Sequence, residues 1–251
     1  MGLLINLALL LIGFVLLIKG ADIFVDGASD TARKFRVPKM LIGLTIVSFG
    51  TSAPEFAVSI QSILSGKGDI LLGNVVGSNI LNILLILGLA SLVGTLRVNT
   101  ATVKKEIPVL VLITLAFAAL LSDKIFGLAE NIFTRQDGIV LLLFFCIFIY
   151  YLIGMARKKD ISEDEEKSEK PVKLVKALLM IVVGLVGIVL GSDFVVKGAS
   201  EIAATFGVSQ RIISLTIVAL GTSLPELVTS VIATKKGEYD IAIGNIVGSN
   251  I

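Results

Sequence analysis

Apolar residues in this chain fall into long runs separated by short polar stretches. Four runs are clear: Leu3 to Ile18, Ile107 to Leu121, Gly138 to Met155 and Ala177 to Leu190. With its flanks, each approaches the length needed to cross roughly 30 Å of hydrocarbon. Three more, Met40 to Ile63, Ile70 to Val93 and Arg211 to Thr234, are interrupted by polar residues. The pattern predicts helices over 3–25, 40–63, 70–93, 106–122, 137–156, 174–196 and 211–234, and another starting near 241. The first run has neither a basic n-region nor a small-residue cleavage site, so it reads as a retained helix rather than a signal peptide. The fold class expected is an all-α, polytopic membrane protein.

Residues 20–80 align with residues 191–251 at a constant offset of 171 without a gap, and 30 of the 61 positions are identical. One structural unit is therefore used twice. The expected organisation is a first five-helix repeat over 1–156, a charged linker over 157–173, and a second repeat over 174–251. Five is odd, so the second copy enters the membrane from the opposite side.

Charge supports that inversion. Arg33, Lys34, Arg36 and Lys39 follow the first helix, whereas their counterparts in the second copy are Ala204, Thr205, Gly207 and Gln210. Alternate loops carry 16 and 5 of the 22 Lys and Arg residues, with Lys19 left in or beside the first helix. The richer side is expected to be cytoplasmic. This puts the N-terminus outside and the linker, with its Ser162-Glu163-Asp164-Glu165-Glu166 run, inside as a solvated tether. Composition agrees, with 55% apolar and 17% charged residues. A single cysteine, Cys146, and no histidine remove disulfides, thiolate sites and imidazole ligands.

The candidate chemistry lies in the repeated motif Gly50-Thr51-Ser52-Ala53-Pro54-Glu55 and Gly221-Thr222-Ser223-Leu224-Pro225-Glu226. Glu55 and Glu226 fall near the middle of predicted spans, where an ionised carboxylate is costly without a counter-charge. Pro54 and Pro225 have no N–H for the carbonyls of Gly50 and Gly221, which predicts two discontinuous helices. Freed carbonyls and the negative end of the first half-helix then favour a cation. Spacings of three and four would bring Ser52 and Thr51 toward Glu55 if the turn stays helical.

A second element, Gly73-Asn74-Val75-Val76-Gly77-Ser78-Asn79, recurs as Gly244-Asn245-Ile246-Val247-Gly248-Ser249-Asn250. Gly73 and Gly77 predict close approach to the broken helix. Ser78 and Asn82 share a face, so the first copy offers Thr51, Ser52, Glu55, Ser78 and Asn82. Asp69 and Asp240 are expected to cap helices, and Asp22 and Asp193 to bond at helix ends. An all-oxygen donor set with two negative charges suits calcium better than magnesium, zinc or copper, and it also suits sodium. Competition for the same acids would give exchange.

These motifs resemble the two alpha-repeats of the sodium/calcium exchanger branch of the cation/calcium antiporter superfamily. The resemblance implies a ten-helix inverted-repeat fold, alternating access and a central calcium site. It implies that Glu55 and Glu226 with the Thr51 and Thr222 carbonyls hold calcium. Ser52, Ser78, Ser223, Ser249, the Ser48 and Ala219 carbonyls and both glutamates would line sodium sites, with Asn82 at the centre. The counterpart of Asn82 would lie beyond Ile251, so the chain reads as a fragment of a longer protein. The expectation is a calcium/sodium antiporter, not an enzyme, in a prokaryotic plasma membrane, its partners being lipid and the transported ions rather than a cofactor or nucleic acid. Proton/calcium and potassium-dependent sodium/calcium exchange are the alternatives within transport; a cation channel or a membrane scaffold are those outside it. Oligomeric state is left open.

Overall fold

The computed structural model describes residues 2–126, 131–157 and 173–251, so most of the charged linker lies outside the described residues. The described secondary structure is helical, with no strand. In chain order it comprises α1 (Leu3–Phe35), the bent pair α2 (Lys39–Thr51) and α3 (Ala53–Leu64), and α4 (Gly68–Val93). Then follow α5 (Thr100–Lys104), α6 (Glu106–Leu120) and α7 (Arg135–Arg157). The remainder is α8 (Leu174–Thr205), α9 (residues 210–222), α10 (Leu224–Lys235) and α11 (Tyr239–Gly248). Among the described residues, α1, α4, α7 and α8 are long and apolar enough to cross a bilayer, and the two bent pairs raise the number to six.

The long helices α1 and α8 pack antiparallel along most of their length. Leu10 lies against Gly198, Gly13 against Gly191, Gly20 against Gly184 and Gly27 against Ala177. Lipid is as apolar as leucine, so helix association here relies on close van der Waals packing, which small residues permit. A Cβ at Gly184 would lie 2.6 Å from the Phe24 backbone nitrogen, and one at Gly20 2.8 Å from the Gly184 carbonyl oxygen. Around this seam Leu17, Ala21, Phe24, Ile181 and Ile188 form the main apolar cluster.

Both helices run further than their apolar runs predict, to Phe35 and Thr205 rather than 25 and 196. The added turns of α1 are small and polar, yet Gly27, Ala28, Thr31 and Ala32 continue its buried face. Asp22 and Asp193 are therefore helix-interior residues, not helix-end ones. Asp22 pairs with Lys236 at 2.8 Å and Asp193 with Lys197 at 2.7 Å. Asp69 and Asp240 are also corrected. They occupy the first turns of α4 and α11, while Lys67 and Glu238 hold the cap positions and neither cap makes a side-chain bond. Their charge meets the positive end of each helix dipole instead.

The repeat recurs in the backbone. Arg36 (φ 54°) and Gly207 (φ 81°) end α1 and α8 in left-handed geometry, and Gly66 (φ 66°) and Gly237 (φ 76°) do so after α3 and α10. Each of these pairs is separated by the sequence offset. The same closing bonds accompany them: Val37 N–H to Ala32 and Val208 N–H to Ala203, both at 3.1 Å, and Lys67 N–H to Ser62 and Glu238 N–H to Ala233, both at 2.9 Å.

The small-residue face divides between the copies. Gly244 and Gly248 of α11 press onto α2, where added Cβ atoms would lie 2.9 Å from the Gly43 Cα and 2.7 Å from the Ser48 hydroxyl. The expected contact at Gly73 and Gly77 is absent, because a Cβ there would meet open space. A π-helical turn at Gly43–Val47 carries the α2 side of the tight crossing, and its counterpart in α9 is Ser214–Val218.

Replacing Gly184 with Leu should prevent closure of the α1–α8 seam, lowering stability by about 1–3 kcal/mol or more. Gly154→Leu, which meets nothing, should leave it within about 0.5 kcal/mol. Thermal unfolding of the purified protein in detergent checks both.

Candidate cation site

The site is built where the two bent pairs meet. α2 and α3 join at 50°, and α9 and α10 at 51°. Each bend falls on the serine before the proline turn: Ser52 has φ −80° and ψ 6°, Ser223 φ −90° and ψ 3°. Pro54 and Pro225 then sit in the first turn of the following helix, the position where a missing N–H costs least.

The break redirects the serines. The near-helical spacing expected to join Ser52 to Glu55 is lost at Ser52, and each serine instead reaches the glutamate of the other copy. The Ser52 hydroxyl donates to Glu226 Oε1 at 2.8 Å, and the Ser223 hydroxyl donates to Glu55 Oε1 at 3.1 Å. Ser52 also bonds Ser249 at 3.0 Å. Thr51 turns from Glu55 as well, its hydroxyl donating to Asn245 Oδ1 at 3.0 Å.

Each glutamate keeps one buried oxygen, Oε2, with no hydrogen-bond partner, and Asn82 Oδ1 is in the same condition. Glu226 is 1% exposed. Among the described residues neither glutamate takes part in an ion pair; the pairs formed are Asp30–Arg33, Lys39–Glu238, Asp193–Lys197 and Lys236 with Asp22 and Asp26. A lysine or arginine counter-charge for the two acids is therefore ruled out within the described structure.

A cavity of about 330 Å³ opens at this point, and Ser52, Glu55, Ser78, Asn82, Glu226 and Ser249 line it. Six of the expected ligand residues are thus together. The others stand one layer back. Ser223 orients Glu55. The Ser48 carbonyl accepts the Ser52 N–H at 2.9 Å and the Thr51 hydroxyl at 3.3 Å. The Thr222 hydroxyl donates to the Ala219 carbonyl at 3.1 Å.

The donors around the cavity are oxygens of carboxylates, hydroxyls and amides, with free carboxylate and amide oxygens buried among them. That chemistry fits a hard cation. Among the described residues no group of three or more His, Cys, Asp or Glu is placed to hold a metal ion by itself. Two carboxylates supplemented by neutral oxygens can hold an ion yet release it.

Residues 5–154 and 176–251 match the family model for the sodium/calcium exchanger protein. The chain belongs to the sodium/calcium exchanger family. The exchanger is 38% identical to the inner membrane protein YrbG of Escherichia coli over 97% of this chain and 75% of that protein. It is 31% identical to the sodium/calcium exchanger MaX1 of Methanosarcina acetivorans, over 98% of this chain and 79% of that one. A solved structure of the sodium-calcium exchanger NCX_Mj superposes with a TM-score of 0.84 at 31% identity, over 99% of this chain and 79% of the other. This exchanger is accordingly an integral, multi-pass membrane protein.

Three further asparagines, Asn74, Asn245 and Asn250, complete the site and escaped prediction. Asn74 Nδ2 donates to the Glu55 carbonyl at 3.0 Å and to Ser59 at 3.1 Å; Asn245 Nδ2 donates to the Glu226 carbonyl at 3.4 Å and to Ser230 at 2.9 Å. Each clamps the start of a second half-helix. Asn82 Nδ2 donates to Asn250 Oδ1 at 2.7 Å, and Asn250 Nδ2 donates to the Asn79 carbonyl at 3.3 Å, tying the copies together. Their recurrence inside the Gly-Asn and Ser-Asn elements was the available signal.

Asn245→Leu in this exchanger removes partners from a buried threonine, serine and carbonyl, and should cost about 1–3 kcal/mol. Asn74→Leu, at the half-buried counterpart, should cost less. Melting temperatures in a neutral detergent separate the two.

Proposed function

We propose that the protein exchanges calcium for sodium across a prokaryotic plasma membrane, both ions using the cavity between Glu55 and Glu226. The observation that carries this reading is the pair of carboxylates, cross-bonded by serines of opposite copies, each with a free buried oxygen and no cationic side chain beside it. Two acids in low dielectric repel one another, and a divalent cation between their free oxygens offsets both charges at once. Asn82 Oδ1 supplies a neutral oxygen, and the Thr51 and Thr222 carbonyls are the proposed calcium donors at the helix breaks.

Sodium would take the same carboxylates singly, with hydroxyls or carbonyls completing its shell. Ser52, Ser78 and Ser249 line the cavity. Ser223 and the Ser48 and Ala219 carbonyls flank it through the contacts above. One carboxylate pair cannot serve a calcium ion and several sodium ions at full charge together, so occupancy by one species displaces the other. Two inverted copies meeting at the site give it equivalent approaches from both faces, the arrangement alternating access needs. Loop charge supports an N-terminus outside and residues 157–173 in the cytoplasm. No cofactor enters this scheme.

The full chain in vesicles should take up calcium when sodium is high inside and low outside, and uptake should collapse when the sodium gradient is removed. A pH gradient or a potassium gradient alone should not drive it; uptake under either would move the reading to proton-coupled or potassium-dependent exchange. Uptake indifferent to every gradient would indicate a channel. Glu55→Gln and Glu226→Gln should each reduce uptake to the level of empty vesicles, and coupled transport surviving in either would take that residue out of the core of the site.

A further inference from the structure

A second cavity, of about 350 Å³, lies apart from the cation site and is lined by Ile18, Lys19, Asp22, Ile232, Lys235 and Lys236. It brings Lys19, which the sequence left unassigned in the first helix, to the C-terminal end of α10. That helix ends there in the Lys236–Glu238 turn, so the cavity sits where the chain leaves the hydrocarbon.

The three lysines are not equivalent. Lys236 Nζ donates to Asp22 Oδ1 and the Asp22 carbonyl, both at 2.8 Å, and to Asp26 at 2.6 Å, which uses its three N–H groups. Partial burial pulls its pKa down, but the bonds and charges of Asp22 and Asp26 more than reverse this and leave it raised. It stays an ammonium. Lys19 and Lys235 are exposed and form no ion pair among the described residues. Three ammoniums against the two carboxylates Asp22 and Asp26 leave the cavity net positive, with its two uncommitted cations at the mouth.

Above Lys19 on the same face of α1 stand Val15 and Ile12, which are 60% and 51% exposed, and Ile18 beside them is 48% exposed. This apolar strip leads from the lysines toward the bilayer centre. A free anion would have no use for it. An acyl chain attached to a phosphate would.

We propose that this cavity is a binding site for the phosphate headgroup of an anionic phospholipid, held by Lys19 and Lys235 with its acyl chain along Ile12, Val15 and Ile18. The loop-charge orientation puts it on the cytoplasmic face, where juxtamembrane basic residues meet anionic lipid. It depends on that orientation and not on which ions are exchanged, and it is tested by lipid binding rather than transport.

Native mass spectrometry of the full chain released from mixed phosphatidylcholine and phosphatidylglycerol bilayers should show retained phosphatidylglycerol in preference to phosphatidylcholine. At about five-fold per lysine, Lys19→Gln/Lys235→Gln should weaken retention roughly 25-fold, while Lys19→Arg/Lys235→Arg and the remote Lys67→Gln/Lys124→Gln should retain it. Equal retention of both lipids by the unaltered protein would overturn the proposal without any variant. Undiminished retention by the double Gln variant would do the same, and displacement of the lipid by inorganic phosphate alone at equal concentration would make this a phosphate site instead.

Discussion

Two carboxylates lining one buried cavity, with no basic residue paired to them among the described residues, are the condition to which the rest of the molecule answers. Removing charge from water costs several kcal/mol per ion even after relaxation. The cross-copy serines compensate only part of this, because each occupies one oxygen and leaves the other free. What remains is a demand for positive charge that no ion pair among the described residues supplies. On the proposed reading, a protein in that position is most stable with a cation bound, and a change of cation is a small step compared with removing it.

That condition explains the local architecture. A continuous helix would have turned Ser52 and Ser223 toward their own glutamates. The bends of 50° and 51° direct them across the repeat boundary, so neither half of the site is complete without the other. Asn74 and Asn245 hold the glutamate carbonyls from α4 and α11. Further out, the glycine seam of α1 and α8 and the crossing of Gly43 with Gly244 bring backbone against backbone. Close packing of this kind is worth most in lipid, where apolar side chains gain nothing by leaving solvent.

Much of this was legible in the sequence. Long apolar runs, a gap-free offset and a proline beside an acid identified the helices, the doubled unit and both glutamates. The misreadings share a cause, which is that each depended on what lies next to a residue in space. Asp22 and Asp193 read as helix ends because the apolar run stops there, but small residues at Gly27, Ala28 and Ala32 let α1 continue against α8. Ser52 read as a partner of Glu55 because spacing assumes an unbroken turn. Gly73 and Gly77 match Gly244 and Gly248 in sequence, yet only the second pair is covered. The asparagine clamps lay in plain view within the repeated elements, but an amide's partner cannot be read from its position along the chain.

The central claim is that one carboxylate pair serves both ions, and the most direct measurement is calcium binding by calorimetry on the purified full chain at increasing sodium. The account predicts that sodium raises the apparent calcium Kd without lowering the number of calcium sites at saturation, and that Glu226→Gln removes calcium binding and the sodium effect together. Calcium binding unmoved by sodium, or a sodium effect that persists after calcium binding is lost, would contradict it.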